Sequence, residues 1–121
     1  MARADRAQAL ASGRDAEARA ASYLESQGLH VIARNVRNRF GEIDLVCREG
    51  GTLVFVEVRM RRSQRYGGAA ESITAAKRAR LVAACEGYVA TLASTPPCRI
   101  DAVLIDGDGR EQMQWLHNVV S

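Results

Sequence analysis

GEIDLVCREGGTLVFVEVRMRR, residues 41–62, is the stretch on which the reading of the whole chain turns. Two runs of strand-forming residues flank Gly50-Gly51. A Gly-Gly pair suits a two-residue hairpin turn, because both central positions tolerate positive φ. With the turn there, Glu49 faces Thr52, Asp44 faces Glu57 and Glu42 faces Arg59. On the opposite side Ile43 faces Val58, Leu45 faces Val56 and Cys47 faces Val54, a purely apolar surface. The charged side also carries Val46, Leu53 and Phe55, so partial cover is expected there. Directly opposed like charges destabilise a sheet, and facing Cβ atoms lie only ~4.5–5.5 Å apart. A divalent cation between Asp44 and Glu57 resolves that conflict, since hard cations such as Mg²⁺ take carboxylate, water and phosphate oxygens. The alternative is ordinary surface charge, with Arg59 in an ion pair to Glu42.

Working outward, a helix is predicted over 14–27. Ser12 and Asp15 fit a capping box before it, and Gly28 is a C-terminal stop. Its apolar stripe is Ala20, Ala21 and Leu24, and Glu17, seven residues before Leu24, falls on the same stripe. Either Glu17 sits at the stripe's edge, where a negative charge suits the helix dipole, or the helix brings it to the acidic side of the hairpin. A first strand follows over 30–36, with Arg34, Arg37 and Arg39 around a turn at Asn38. After the hairpin, 61–72 reads as a loop. Its Arg61, Arg62 and Arg65, with Tyr66 and Gly67-Gly68, either grip phosphate or are simply solvated.

A second helix is predicted over 74–93, capped by Thr74, with a core stripe of Leu81, Ala84, Cys85, Tyr88, Val89 and Leu92. Lys77, one turn before Leu81, projects from the same side. Pro96-Pro97 ends the region. Residues 98–106 form a fourth strand, with Ile100, Ala102 and Leu104 on one face. Gly107-Asp108-Gly109 turns the chain into a fifth, edge strand over 113–120. The order α-β-β-β-α-β-β describes an α/β protein with a mixed sheet flanked by helices.

The 121 residues suit one domain, expected over 13–121 behind a flexible segment 1–12. Apolar residues make up 47%, which argues against wholesale disorder. The net charge of +3 is a mild bias toward polyanions. Cys47, Cys85 and Cys98 form no C-x-x-C pair and are read as buried small hydrophobes. No stretch approaches the ~20 apolar residues of a membrane span, and no apolar leader opens the chain, so a cytoplasmic protein without membrane contact is expected. His30 and His117 have no partner at ligand spacing. Walker, G-x-G-x-x-G and G-x-S-x-G motifs are absent, which leaves nucleoside-triphosphate, dinucleotide and serine-nucleophile chemistry without support.

Glu17 on a helix, Asp44, and Glu57-Val58-Arg59 thirteen residues further on together resemble the PD-(D/E)xK nuclease superfamily. More closely, the chain resembles the uncharacterised YraN-like family of small bacterial proteins over roughly 13–120. The matching stretches are Asn35-Val36-Arg37, GEIDLV (41–46), VFVEVR (54–59), YGGA (66–69), ESIT (71–74) with Lys77, and CRIDAV (98–103). The resemblance implies a restriction-endonuclease-like fold, similar to Holliday-junction resolvases, with Glu17, Asp44 and Glu57 as metal ligands. Arg59 stands where the superfamily has a lysine that orients or activates water. Arginine orients water or phosphate but does not take a proton, and Lys77 is the candidate substitute.

Three functional readings follow. The first is a Mg²⁺- or Mn²⁺-dependent nuclease acting on DNA, with branched or damaged forms as candidate substrates. Glu17, Asp44, Glu57, Arg59 and Lys77 would form its catalytic set, and Arg34, Arg37, Arg39, Arg61, Arg62 and Arg65 would hold the nucleic-acid backbone. The second is a non-catalytic nucleic-acid-binding module on a degenerate nuclease fold. The third is a protein-interaction domain using the strand edge near 112–119, with Trp115 as anchor. The sequence leaves the oligomeric state open, a homodimer among the options.

Overall fold

Five strands form one sheet in the order β1-β2-β3-β4-β5 in the computed structural model, which describes residues 15–61, 74–107 and 111–120. They are β1 His30–Asn38, β2 Gly41–Glu49, β3 Thr52–Arg61, β4 Cys98–Gly107 and β5 Glu111–Leu116. Helix α1 covers 15–26 and α2 covers Ala75–Val89. Strands β3 and β4 run parallel and the other neighbours antiparallel. A parallel pair needs a long crossover, and α2 supplies it. The element order and the mixed sheet are those expected of a restriction-endonuclease-like fold, with β5 at one edge and β1 at the other. The segment 1–12, the capping box at Ser12, and Arg62 and Arg65 lie outside the described residues.

The two sheet faces are covered by different helices. Ala16, Ala20, Ala21 and Leu24 of α1 pack on Leu45, Cys47, Val54, Val56, Val103 and Ile105. Leu81, Ala84 and Cys85 of α2 pack on Ile43, Val46, Leu53 and Phe55. None of the described helices is long and apolar enough to cross a membrane.

Helix α1 ends in a Schellman motif. Leu29 N–H donates to the Leu24 carbonyl and Gly28 N–H to that of Glu25, both at 3.1 Å, with Gly28 at φ 98°. Leu24 and Leu29, the apolar pair that accompanies the motif, are both buried. No atom lies near a Cβ added at Gly28, so only the backbone conformation opposes a side chain there. Gly28→Ala is expected to cost about 1 kcal/mol, read as a lowered urea midpoint with an unchanged m-value.

Helix α2 is capped by Thr74, whose Oγ1 accepts from Lys77 N–H. It stops at Val89, short of the expected 93. There Thr91 N–H and Leu92 N–H switch to carbonyls three residues back, and the Thr91 hydroxyl also donates to Tyr88 O at 2.7 Å. Strand β1 runs two residues past its expected end, to Asn38. Strand β5 is displaced toward the turn, since from Asn118 (φ 54°) the chain leaves the ladder. Cys47 and Cys85 are buried as expected, their thiols pushed up by burial to about 11 and about 12. Cys98 is exposed, against expectation, at the first position of β4.

The hairpin register is the expected one as far as it extends: Glu49 faces Thr52, Cys47 faces Val54 and Leu45 faces Val56. Only Gly50 of the turn pair takes positive φ, 59°. Beyond Leu45 and Val56 the expected pairing fails. Strand β2 continues along β1 to Asn38↔Gly41, and β3 continues along β4 to Arg61↔Asp106. The sheet therefore forks between β2 and β3.

Candidate metal and phosphate site

Asp44 sits where the fork opens. Its Oδ2 accepts from Val58 N–H at 2.8 Å, so a side chain occupies the place of the missing ladder bond. Side-chain alternation slips at the same level. Ile43 and Val46, three apart on β2, both pack on the α2 side, as do Ala33 and Val36 on β1. Asn35, between the β1 partners of Leu45 and Ile43, has φ 52°, a left-handed conformation that Asn tolerates better than most residues. Ile43 consequently leaves the apolar surface it was expected to share with Val58, which packs with the α1 cluster instead.

That slip explains how Glu17 reaches the site. The sheet face bearing Val46, Leu53 and Phe55 is covered by α2, so α1 approaches from the opposite face to the one expected. With Asp44 at the fork, ligand oxygens of Glu17, Glu42 and Asp44 nevertheless lie within 4.8 Å of one another. Glu57 is outside that trio but lines the same cavity as Asp44 and feels its charge. Arg59 Nη2 pairs with Glu57 Oε1 at 2.6 Å, on its own strand, and Glu42 pairs with Arg37 at 3.7 Å. The expected Arg59–Glu42 pair does not form because those strands have already parted.

Gly41, Glu42, Asp44, Glu57, Arg59, Lys77, Arg80 and Leu81 line a cavity of about 320 Å³. Carboxylates occupy the β2–β3 side, and Lys77 and Arg80 come from α2. Gly41 lies against α2, where a Cβ would make ordinary contact with the Arg80 carbonyl at 3.4 Å. A larger cavity of about 620 Å³ beside α2 has mostly apolar walls, including Phe55, Val89 and Leu92, and lacks this concentration of charge. Arg34, Arg37 and Arg39 are exposed, and Arg61 closes β3.

Burial, then Asp44, pushes the Glu57 carboxyl from its ordinary 4.5 up to about 7. The Arg59 contact opposes this but is outweighed. Asp44 is also raised, chiefly by burial, against the bond from Val58 N–H. Glu17 is raised by burial and by Asp44, with a hydrogen bond to Asn35 opposing. For Glu57 the native state therefore holds a proton that the unfolded chain releases between pH 4.5 and about 7. Native protons exceed unfolded ones in that window, so this contribution to stability is full below it and is lost as pH rises through it. Without divalent ions, Glu57→Gln is expected to match wild type near pH 4.5 and melt several degrees higher near pH 8. Melting curves that track wild type at every pH would contradict the strained carboxyl pair.

A family model described as Uncharacterised protein family UPF0102 matches residues 16–105. The chain belongs to the UPF0102 family. This is the YraN-like group, within the restriction-endonuclease-like superfamily. A UPF0102 protein of Nitrosomonas europaea is 53% identical over 106 residues, covering 88% of this chain and 90% of its own. One from Methylobacillus flagellatus is 51% identical over 109 residues, covering 90% and 96%. One from Dechloromonas aromatica is 53% identical over 113 residues, covering 92% and 89%. The UPF0102 match contains Glu17, Glu42, Asp44, Glu57, Arg59 and Lys77.

It also contains a residue that sequence reasoning missed. Asp101 is fully buried, accepts from Arg99 Nε at 3.0 Å to each oxygen, from Trp115 Nε1 at 2.9 Å and from Asn118 N–H at 2.8 Å. The signal was a carboxylate inside Ile100–Ile105, a strand apolar on both faces, where a charge has to be paired. Its partners belong to structure rather than to the cavity. Trp115, read as a docking anchor, is committed to Asp101 and to an edge-on contact with Tyr23.

Proposed function

We propose that this UPF0102 protein is a Mg²⁺- or Mn²⁺-dependent nuclease that hydrolyses phosphodiester bonds in DNA. The observation that carries the reading is the convergence of Glu17, Glu42 and Asp44 at a sheet fork, in a cavity that Glu57 and Arg59 also line. An all-oxygen, carboxylate-rich set fits a hard cation. Asp44 is the common member, with Glu17, Glu42 and Glu57 as the further ligands. Bound there, the ion supplies positive charge at the scissile phosphate and acidifies water.

The chain's own residues do the rest. Arg59 lines the cavity beside Glu57, where its guanidinium would face a phosphate bound next to the carboxylates. The guanidinium would thus hold the phosphate and offset charge that builds up as water adds to phosphorus and the ester bond breaks. It does not accept the proton of that water, so the proton passes to a carboxylate of the cavity, while Lys77 on the opposite wall would add positive charge beside the phosphate. Arg34, Arg37, Arg39, Arg61, Arg62 and Arg65 would contact flanking phosphates.

The test is incubation of purified protein with nicked, flap, junction, single-stranded and duplex DNA, with Mn²⁺ or Mg²⁺ and with chelator. Metal-dependent cutting that Glu57→Ala abolishes is the expected result. Absence of cutting on every substrate would remove the nuclease reading. Arg59 in place of a lysine favours a second reading, a non-catalytic DNA-binding module. It predicts affinity that falls steeply with salt and survives loss of the Asp44 charge.

A further inference from the structure

We propose that Phe40, together with the guanidinium of Arg39, is a stacking platform for an unpaired base next to the bound phosphate. The proposal rests on the nucleic-acid reading above and narrows the substrate to DNA with single-stranded character, such as a flap, gap or fork.

Phe40 and Ile32 are the large apolar side chains left exposed among the described residues, at 41% and 48%. A lone exposed apolar side chain is ordinary. What separates Phe40 is how it is mounted. Its N–H donates to Asn38 Oδ1 at 3.0 Å, and Asn38 Nδ2 donates to the Ala84 carbonyl of α2, also at 3.0 Å. One edge of the ring rests on Gly87, where a Cβ would come within 3.1 Å of Phe40 Cδ2 and 3.0 Å of Asn38 Nδ2. The turn is therefore clamped to the helix by one amide and one missing side chain. An aromatic ring held this way loses little freedom when a ligand stacks on it.

Charge and position point to a nucleobase. The Arg39 Cζ lies 4.7 Å from the Phe40 ring centroid, so a cation–aromatic stack is already formed. Bases extend such stacks whatever their identity, because each has a π-face. Arg34 and Arg37 are exposed on β1, the edge strand that leads into this turn, a track for phosphates. Gly41, the next residue in the chain, lines the cavity with Asp44, Glu57 and Arg59. A base on the platform thus belongs to a nucleotide adjoining the phosphate in the cavity. Within a duplex both faces of a base are covered by its neighbours, so an unpaired or terminal base is the one that fits.

The test measures binding, not cutting. Fluorescence anisotropy in EDTA at low salt compares a single strand, a flap and a blunt duplex against wild type, Phe40→Ala, Phe40→Leu and Phe40→Trp. Phe40→Leu keeps apolar bulk against Gly87 without the ring, and its melting temperature is expected to stay within a few degrees of wild type. Wild type and Phe40→Trp should favour the single strand and flap over duplex by about tenfold or more, the scale of one stacked base. Phe40→Ala and Phe40→Leu should lose that preference while duplex affinity holds. Equal preference in wild type and Phe40→Leu, or none in wild type, would overturn the platform. Because no metal is present, the result is independent of catalysis. A platform that works in a protein that never cuts would sink the nuclease reading alone, and cutting with an indifferent Phe40 would sink the platform alone.

Discussion

Asp44→Asn is expected to reduce Mn²⁺-dependent DNA cleavage by on the order of 10³-fold, the scale on which a site loses its principal charge-stabilising group, without weakening the fold. The two effects separate because Asp44 has two roles. As a carboxylate it is the member common to the Glu17–Glu42 trio and the Glu57 pair. As an acceptor it takes the Val58 N–H where the ladder ends. Asparagine keeps an oxygen for Val58 and removes the charge. It also removes a cause of the raised Glu57 carboxyl, so without metal the variant should melt no lower than wild type near pH 8. Asp44→Ala loses both roles and should melt lower by the equivalent of about 1 kcal/mol, the net worth of one hydrogen bond. A single-turnover nicking assay beside thermal melts reads both quantities. An Asn variant that cuts as wild type does would remove the acidic cluster from the mechanism.

Asp101→Ala is expected to be the most damaging single change to stability, at about 3–5 kcal/mol. Its carboxylate is fully buried and receives four hydrogen bonds, from Arg99, Trp115 and Asn118. Arg99 reaches onward to Glu49 at 3.0 Å, so the cluster ties the start of β4 to β5, to the segment after it and to the far end of the hairpin. Truncation leaves the indole N–H, the Asn118 N–H and part of a guanidinium without their acceptor. For a domain whose total stability is about 5–15 kcal/mol, that is a large share, and a drop of roughly 10–20 °C in melting temperature should follow. Asp101→Asn should fall between, since one acceptor remains but the charge opposite Arg99 does not. A melting point for the Ala variant within a few degrees of wild type would show the cluster to be ornamental.

Much of the site was legible in the chain because hairpin register is local. Gly50-Gly51 set which residues face which, and the register holds from Glu49↔Thr52 to Leu45↔Val56. Helix periodicity placed Glu17 and Lys77 on core-facing sides, and both end near the acidic cluster or its cavity. Glu42, counted with Glu17, Asp44 and Glu57 in one carboxylate set, does join Glu17 and Asp44, but the register that set it opposite Arg59 fails and it pairs with Arg37. That error has one source, the assumption that an antiparallel pair continues as long as both sequences look like strands. Phe40 was passed over because an aromatic residue at a turn looks like any other until the helix beneath it is in view.

By itself the sequence determined the order of elements, the hairpin with its acidic residues, and the apolar stripes that bury each helix, because turn chemistry and side-chain periodicity act over a few residues. Tertiary structure alone decided that β2 leaves β3 for β1 while β3 stays with β4. It also decided that α1 and α2 take opposite faces, and that Asp44 lies between Glu17 of α1 and a cavity walled by Lys77 and Arg80 of α2. Strand divergence is set by competition among neighbours far apart in the chain, β1 for β2 and β4 for β3. No local pattern around Asp44 records which of them wins.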